Sequence, residues 1–359
     1  MTRTIWLKGI KMMNDSSIDV LNLTTDELRK KFEAEKIEPY RAVQVHQWIF
    51  EKGVYDFDRM TNLSVALREQ LKKSFSVGLP TEVEKQRSAG DKSAKLLIRL
   101  KNGDFVETVY ISELNRRTIC LSSQVGCKFH CAFCASGQNG FLRNLAMGEI
   151  LSQVLLARDL AEDKKITNIV FMGIGEPFDN YRELLRTIRQ LNSKTSLGIG
   201  ARKITVSTCG VIPKIEALGE EGLQVELSVS LHGPNDTVRG ALMPVNKAHP
   251  VKALIEACKK YSKKTKRAIT FEYILVKGVN ASPKEAGELG RLLKGMLCKV
   301  NLIPYNPIEE FPHEAPPYPE IVAFQNILQS HGVKTTVRFS KGTDIQAACG
   351  QLRSVHLKK

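Results

Sequence analysis

The order of short apolar segments along this chain constrains its fold more than any other feature. After Arg117, segments rich in β-branched residues alternate with stretches of helical periodicity. The strand-like segments are residues 119–122, 169–172, 204–207, 225–231, 269–275 and 300–303. Strands and helices that alternate in this way form a parallel sheet covered by helices. Six such units are too few for a closed eight-stranded barrel, so the sequence predicts an α/β fold with an open, partial barrel.

A small helical domain is predicted before the barrel. Residues 1–20 show no clear period and are expected to form a flexible extension. From Thr24, which forms a capping box with Glu27, apolar residues recur with helical spacing until about residue 80. Residues 21–80 are therefore predicted to be a helical accessory domain. Its basic side chains are candidates for contact with a phosphate backbone, although such charges also occur on solvated faces: Arg41, Lys52, Lys72 and Lys73.

Residues 81–116 have the character of a β connector. Residues 96–100 and 105–111 have the composition of strands and are joined by Asn102 and Gly103, a pair typical of hairpin turns. The barrel is then predicted to occupy residues 117–359 and to end in a loop that contains Cys349.

The net charge of the chain suggests the class of its partner. Lys and Arg total 53 against 38 Asp and Glu, which gives +15 and favours an acidic polymer such as a nucleic acid. No apolar run is long enough to span a bilayer, and the N-terminus lacks the apolar core of a signal peptide. Eight cysteines in a chain of 359 residues suit a reducing compartment. We therefore expect a cytoplasmic location.

Three cysteines in one short segment predict an iron–sulfur cluster. Cys127, Cys131 and Cys134 have the spacing C-x3-C-x2-C. A 4Fe–4S cluster normally takes four cysteines, so a set of three can leave one iron open for a substrate or cofactor. Structural zinc and dithiol chemistry remain alternatives, but zinc needs four ligands, and a C-x2-C dithiol would leave Cys127 without a role.

Further candidate residues follow the predicted strands. Because ligands of parallel α/β folds bind at the carboxyl ends of strands, we expect these residues to converge on one pocket with the cysteines. Taken singly, each is also an ordinary strand-end residue. They are Gly175, Glu176, Ser207, Ser230, His232 and Asn306.

Four motifs give the chain a resemblance to a known family. They are residues 122–127 (SSQVGC), 172–177 (MGIGEP), 230–232 (SLH) and 347–352 (AACGQL). Together with the cysteine triplet they resemble the radical S-adenosylmethionine (SAM) superfamily and, within it, the RlmN/Cfr family of RNA methyltransferases. The resemblance extends from about residue 21 to residue 352 and is greatest to the RlmN members, which methylate carbon 2 of adenine in 23S rRNA and tRNA.

The resemblance implies a cofactor set and its contacts. The three cysteines would bind the 4Fe–4S cluster, and SAM would bind to the open iron. The implied SAM contacts are Gly175, Glu176, Ser207, Ser230, Leu231, His232 and Asn306. The helical domain would help to hold the RNA, and a flavodoxin or ferredoxin would supply electrons to an enzyme that acts as a monomer.

The resemblance also implies roles for two more cysteines and a glutamate. Cys349 would take a methyl group from one SAM, and a 5′-deoxyadenosyl radical from a second SAM would abstract hydrogen from that methyl group. After addition to the adenine, Cys120 would remove the proton at carbon 2 and release the product by forming a transient disulfide with Cys349. Glu107 matches an acidic position with a possible role as proton acceptor, although a glutamate in an alternating strand ordinarily faces solvent.

Two other functions remain open. Cfr-type methylation at adenine carbon 8 would use the same cluster and the same cysteine pair. A non-catalytic RNA-binding protein with a structural metal site would explain the charge and the triplet, but not Cys120 together with Cys349. Cys209, Cys258 and Cys298 are predicted to be small buried residues without a role.

Overall fold

The computed structural model describes residues 17–353 and begins with a compact set of short helices. The predicted capping box is present, since the Thr24 side chain accepts from the Glu27 amide and the Glu27 carboxylate accepts from the Thr24 amide. The elements of this helical module are β1 (Ile18–Asp19), α1 (Thr25–Ala34), α2 (Arg41–Phe50), α3 (Val65–Ser74) and β2 (Phe75–Ser76), with β1 and β2 paired in parallel.

The predicted flexible extension over residues 1–20 needs a correction at its end. Residues 1–16 lie outside the described part of the chain. Residues 18–20, however, belong to the helical module, because Ile18 and Asp19 pair with β2 and the Val20 side chain is fully buried. A strand of two residues is too short to produce a periodic pattern, so the sequence alone does not distinguish it from a flexible extension.

One ten-stranded sheet forms the centre of the molecule. Its antiparallel strands are β3 (Thr81–Arg87), β4 (Ala94–Arg99) and β5 (Phe105–Glu113), and they continue the sheet beyond the first parallel strand. The parallel strands are β6 (Arg116–Cys120), β9 (Asn168–Phe171), β10 (Ile204–Thr208), β11 (Glu226–Ser230), β12 (Ile269–Leu275), β13 (Cys298–Pro304) and β14 (Lys334–Val337).

The α/β prediction is confirmed, and the sheet extends further than the six predicted strands. Each predicted strand overlaps an observed one, and the hairpin at Asn102 and Gly103 joins β4 to β5. Strand β14 was missed because its four residues, Lys-Thr-Thr-Val, include a single strongly apolar side chain. The β connector is therefore a continuation of the barrel sheet.

Helices cover one face of the parallel strands, and a small ribbon flanks the cysteine segment. The ribbon is the antiparallel pair β7 (Gln124–Gly126) and β8 (Phe141–Asn144). The helices are α4 (Met147–Ala157), α5 (Tyr181–Asn192), α6 (Ile212–Glu220), α7 (Asp236–Leu242), α8 (Val251–Thr265), α9 (Pro283–Leu293) and α10 (Tyr318–Ser330). No helix in the described range is both long enough and apolar enough to cross a membrane.

The helical module and the barrel share one hydrophobic core. Buried side chains of α1 and α2 belong to the same cluster as those of α4 and α5. Polar contacts reinforce this packing, since Arg186 of α5 donates to the Glu27 carboxylate at 2.7 Å and the Gly148 amide donates to Asn22 Oδ1 at 2.8 Å. The module is thus fixed to the outer helices of the barrel.

His46 lies at this junction and makes the stability of the junction pH-dependent. The side chain is fully buried, with Thr25 Oγ1 at 2.9 Å and Gln190 Nε2 at 3.3 Å from its Nδ1. Burial lowers the pKa of His46 from 6.5 to about 4. Between these two pH values the unfolded chain binds a proton that the folded protein excludes, so stability is present above pH 6.5 and is lost as the pH falls.

We predict that His46→Gln reduces this acid sensitivity. Because one pKa unit corresponds to about 1.4 kcal/mol, the unfolding free energy of the wild type should fall between pH 6.5 and pH 5 by about 2 kcal/mol more than that of the variant. Urea unfolding at the two pH values measures this fall in unfolding free energy for each protein. Comparing the two falls removes any loss of packing that does not depend on pH. An equal fall in unfolding free energy for the wild type and the variant would contradict the prediction.

Candidate active site

Two adjoining cavities lie inside the partial barrel. The smaller, of about 160 Å³, lies at the carboxyl ends of the strands, and the larger, of about 560 Å³, extends along the strands toward their amino ends. Alternate residues of one strand line the two cavities in turn: Thr205 and then Ser207 on β10, and Ser228 and then Ser230 on β11. The residues common to both cavities are Met172, Glu272, Ile303, Arg338 and Cys349.

The three clustered cysteines lie together on the wall of the smaller cavity. Their loop is enclosed by the ribbon β7–β8, where the Cys127 amide donates to the Gly140 carbonyl at 3.0 Å. This close approach requires glycine at position 126, because a Cβ atom there would lie 1.9 Å from the Gly140 oxygen. The loop is also tied to the barrel through the Ala132 amide, which donates to the Leu242 carbonyl.

The chemistry of these thiols fits binding to a cationic centre. Burial raises the pKa of all three, that of Cys127 to about 12, and repulsion between the thiolates raises the pKa values of Cys127 and Cys131 further. Thiolates so placed need metal charge for compensation. Within residues 17–353, no three His, Cys, Asp or Glu side chains are arranged to hold a single metal ion. In a cluster, each cysteine binds a different iron.

The turn after β9 places a buried carboxylate beside the cysteines. A Cβ atom at Gly173 would lie 2.7 Å from the Leu121 backbone, and Gly175 has a φ of +101°, so both positions favour glycine. The following Glu176 carboxylate accepts from the Phe178 amide at 2.9 Å and from the Cys209 amide at 2.6 Å. Burial nevertheless raises the pKa of Glu176. The carboxylate lines the smaller cavity, where it can bind an ammonium group.

The other predicted strand-end residues converge on the same cavity, with one exception. Ser207, Ser230, His232 and Asn306 line it, whereas the Leu231 side chain packs in the hydrophobic core. His232 Nδ1 accepts from the Ile274 amide at 3.0 Å, and burial lowers the pKa of His232 to about 3. The ring is therefore neutral, and its Nε2 carries the remaining proton.

Cys349 stands where the two cavities meet. Its loop is held against the cysteine segment, since the Ala135 amide donates to the Gly350 carbonyl at 2.7 Å and Ser136 Oγ donates to the Leu352 carbonyl at 2.8 Å. Asn306 Nδ2 also donates to the Cys349 carbonyl, at 3.2 Å. Residue Cys349 is exposed, yet desolvation by the surrounding protein raises the pKa of its thiol.

Cys120 faces the same space from the end of β6. Its side chain is buried and lines the larger cavity. Burial, together with the nearby Cys349, raises the pKa of Cys120 to about 12. Both cysteines are free thiols. Two protonated thiols, one of them buried, thus face one cavity.

Glu107 is buried, contrary to the ordinary expectation for an alternating strand. Its carboxylate pairs with Lys95 at 3.0 Å and accepts from the Arg353 amide at 2.8 Å. Glu107 is not one of the described residues that line either cavity. Its contacts anchor the chain four residues after Cys349, so in this conformation Glu107 positions the loop.

Sequence reasoning missed two charged residues that line both cavities, Glu272 and Arg338. Glu272 is the single charged residue of the largely apolar strand β12, a pattern that could have indicated a functional side chain. Arg338 follows the unpredicted strand β14. Of the basic residues in the helical module, Lys72 is paired with Asp58 and Glu69, and Lys52 lies over the Trp48 ring.

Comparisons with known proteins agree with this architecture. The radical SAM superfamily model matches residues 121–289, and the ribosomal RNA large subunit methyltransferase N-terminal domain model matches residues 18–77. The probable dual-specificity RNA methyltransferase RlmN of Clostridium novyi is 42% identical over 340 residues, 95% of this chain and 99% of that protein. That of Clostridium tetani is 45% identical over 341 residues, 95% and 97% respectively. The crystal structure of a radical SAM methyltransferase from Sphaerobacter thermophilus gives a TM-score of 0.90 at 43% identity, covering 93% of this chain and 99% of that chain.

We predict that Lys95→Met loosens the Cys349 loop. The substitution leaves the Glu107 carboxylate buried without its cation, at a cost of about 3–5 kcal/mol. Amide hydrogen exchange over residues 342–353 should accelerate. Lys92→Met, which removes an exposed charge nearby, is the matched control and should leave exchange unchanged. Equal protection of the loop in both variants would show that the ion pair does not hold it.

Proposed function

The chain belongs to the RlmN family of radical SAM RNA methyltransferases, and from this we propose that it methylates carbon 2 of adenosine in 23S rRNA and tRNA. The observation that carries the proposal is the position of Cys349 between the two cavities, with Cys120 facing the larger one. Carbon 2 of adenine is not nucleophilic, so the methyl group must arrive by a radical route, and a cysteine carrier at this position could deliver it from one cavity to the other.

The smaller cavity is the proposed site of the cofactors. Cys127, Cys131 and Cys134 would hold a 4Fe–4S cluster through three of its irons. Glu176 would bind the ammonium group of SAM, and the neighbouring polar residues would position its carboxylate and ribose: Gly175, Ser207, Ser230, His232 and Asn306. Leu231, whose side chain packs in the hydrophobic core, would contribute only by joining Ser230 to His232. When bound, the cluster supplies the electron that cleaves SAM to give a 5′-deoxyadenosyl radical.

Cys349 is the proposed methyl carrier. Its thiol would lose a proton and take the methyl group of one SAM by displacement, forming S-methylcysteine and releasing S-adenosylhomocysteine. The 5′-deoxyadenosyl radical from a second SAM would take a hydrogen atom from this methyl group. The carbon radical that remains would bond to adenine carbon 2. The RNA would then be joined covalently to Cys349.

Cys120 is the proposed residue that releases the product. Its thiolate would take the proton from carbon 2, while the unpaired electron of the adduct returns to the redox centre that supplied the first electron. After releasing that proton, the Cys120 sulfur would attack the Cys349 sulfur, so that a disulfide forms, the carbon–sulfur bond breaks and the released carbon takes up a proton to become the methyl group. Two electrons from a reductant would restore the thiols. Glu107 could accept a proton only if the Lys95 pair opened, so we assign it the positioning of the loop first.

The partners follow from the same family. The helical module would hold the RNA, supported by the match of residues 18–77 to the family's N-terminal domain. We further propose that the enzyme works as a cytoplasmic monomer and that a flavodoxin or ferredoxin supplies its electrons. Methylation at adenine carbon 8 is the alternative chemistry, and the similarity to RlmN proteins favours carbon 2.

Mass spectrometry of nucleosides tests this function. Reconstituted enzyme given SAM and a reductant should produce 2-methyladenosine in both 23S rRNA and tRNA. Cys349→Ala should reduce this product below detection while still forming 5′-deoxyadenosine, because the carrier is lost but the cofactor site remains. Appearance of 8-methyladenosine, or methylation by Cys349→Ala, would overturn the proposal.

Substitution of Cys120 should leave the RNA covalently attached to Cys349. With Cys120→Ala we expect an RNA–protein adduct that survives denaturing electrophoresis and disappears after nuclease digestion. Cys298→Ala is the matched control, because Cys298 lines neither cavity among the described residues and should leave turnover intact. Normal turnover by Cys120→Ala would exclude the proposed role of Cys120.

A further inference from the structure

Glu272 is a buried carboxylate whose two oxygens have different surroundings. It lies on β12, is 5% exposed and lines both cavities. Its Oε1 accepts from Ser228 Oγ at 3.1 Å and from Asn301 Nδ2 at 3.2 Å. Its Oε2 has no hydrogen-bond partner in the described part of the chain. Since a buried acceptor without a donor is unfavourable, the missing donor is expected from the molecule that fills the cavity.

The adjacent protein groups do not supply that donor. Burial raises the pKa of Glu272, and the positive charges of Arg338 and Lys299, which line the larger cavity, oppose that shift. Neither of these side chains hydrogen-bonds to Glu272. Ser228 and Asn301 are both committed to the other oxygen. The carboxylate is therefore held in a fixed orientation with one acceptor position unfilled.

The larger cavity has the character of a nucleotide site. Its volume of about 560 Å³ lies within the range of about 300–1,000 Å³ typical of ligand pockets. Enzymes that modify a base draw it out of its stack into such a pocket and read its Watson–Crick edge by hydrogen bonds. Basic side chains on the walls can meet the negative charge of the RNA backbone: Arg116, Arg202, Lys299, Arg338 and Lys341.

Adenine offers one hydrogen-bond donor on its ring system when its sugar is attached, the 6-amino group, whereas its ring nitrogens are acceptors. A carboxylate oxygen without a donor is complementary to this group. We propose that Glu272 Oε2 accepts a hydrogen bond from the 6-amino group of the target base and thereby selects adenine. This inference rests on the proposed function and specifies how the same site recognises its base.

The held orientation of Glu272 makes the Gln variant informative. In Glu272→Gln, Ser228 and Asn301 still need an acceptor, so the amide oxygen takes the place of Oε1. The amide NH2 then replaces Oε2 and presents a donor to the donor group of adenine. The variant should lose its preference for adenine without losing the hydrogen bonds that hold residue 272.

The test combines this variant with a changed base. The methylated position is first located by mass spectrometry of oligonucleotide fragments. An RNA fragment that contains this position is then synthesised in two forms, one with adenine there and one with purine, which lacks the amino group. For the wild type, kcat/KM should fall by about 10- to 100-fold on the purine RNA, as for loss of a hydrogen bond to a charged group. Glu272→Gln should methylate the two RNAs with kcat/KM values within about 3-fold of each other, which is the scatter of such comparisons.

Controls separate recognition from loss of the site. Glu272→Gln should retain cluster iron, S-methylation of Cys349 and SAM affinity, because none of these needs the target base. Glu113→Gln changes an exposed acid on the rim of the same cavity and should keep the full preference for adenine.

Three results would overturn the inference. They are equal kcat/KM of the wild type on both RNAs, an undiminished adenine preference in Glu272→Gln, and a loss of SAM affinity in that variant, which would assign Oε2 to the cofactor. Absence of methylation of any RNA by the wild type would instead refute the proposed function itself, so the two failures are distinguishable.

Discussion

The position of Cys349 depends on a few hydrogen bonds that hold the backbone of its loop against two distant parts of the chain. The cysteine segment supplies the Ala135 amide to Gly350, and the β connector supplies the Glu107 carboxylate to the Arg353 amide. A flexible loop would place a thiol over a wide volume, and chemistry that transfers a carbon between two substrates requires sub-ångström positioning. These contacts fix the chain directly after Cys349, which restricts its thiol to the junction of the cavities.

The same contacts explain why the β connector continues the barrel sheet. Strands β4 and β5 carry the buried pair Lys95–Glu107, and β5 is bonded directly to β6, which ends in Cys120. The side chain that holds the loop and the second thiol therefore share one rigid sheet. A separate domain joined by a flexible linker could not maintain the two cysteines at a fixed separation.

The sequence predicted what depends on local pattern. Strand periodicity located six of the seven parallel strands. Their order implied that Glu176, Ser207 and Ser230 would meet, because carboxyl ends of parallel strands lie along one edge. It could not predict burial that depends on distant partners. Glu107 looks like a solvent-facing residue until Lys95 and the C-terminal loop are packed on it, and the unfilled oxygen of Glu272 emerges only when Ser228 and Asn301 are in place.

The interior of this barrel differs from that of a closed eight-stranded barrel, and the difference explains why it contains a large cavity. Closed barrels fill their centre with layers of bulky branched side chains. Here the inward positions of the parallel strands carry short polar residues in the amino-terminal half: Thr118, Asn168, Thr205, Ser228, Thr270 and Asn301. Their small volume leaves the larger cavity open, and their hydroxyl and amide groups orient the charged residues among them. The core that stabilises the fold is displaced to the outer face, where the helices and the N-terminal module pack, so the interior is free to bind ligands.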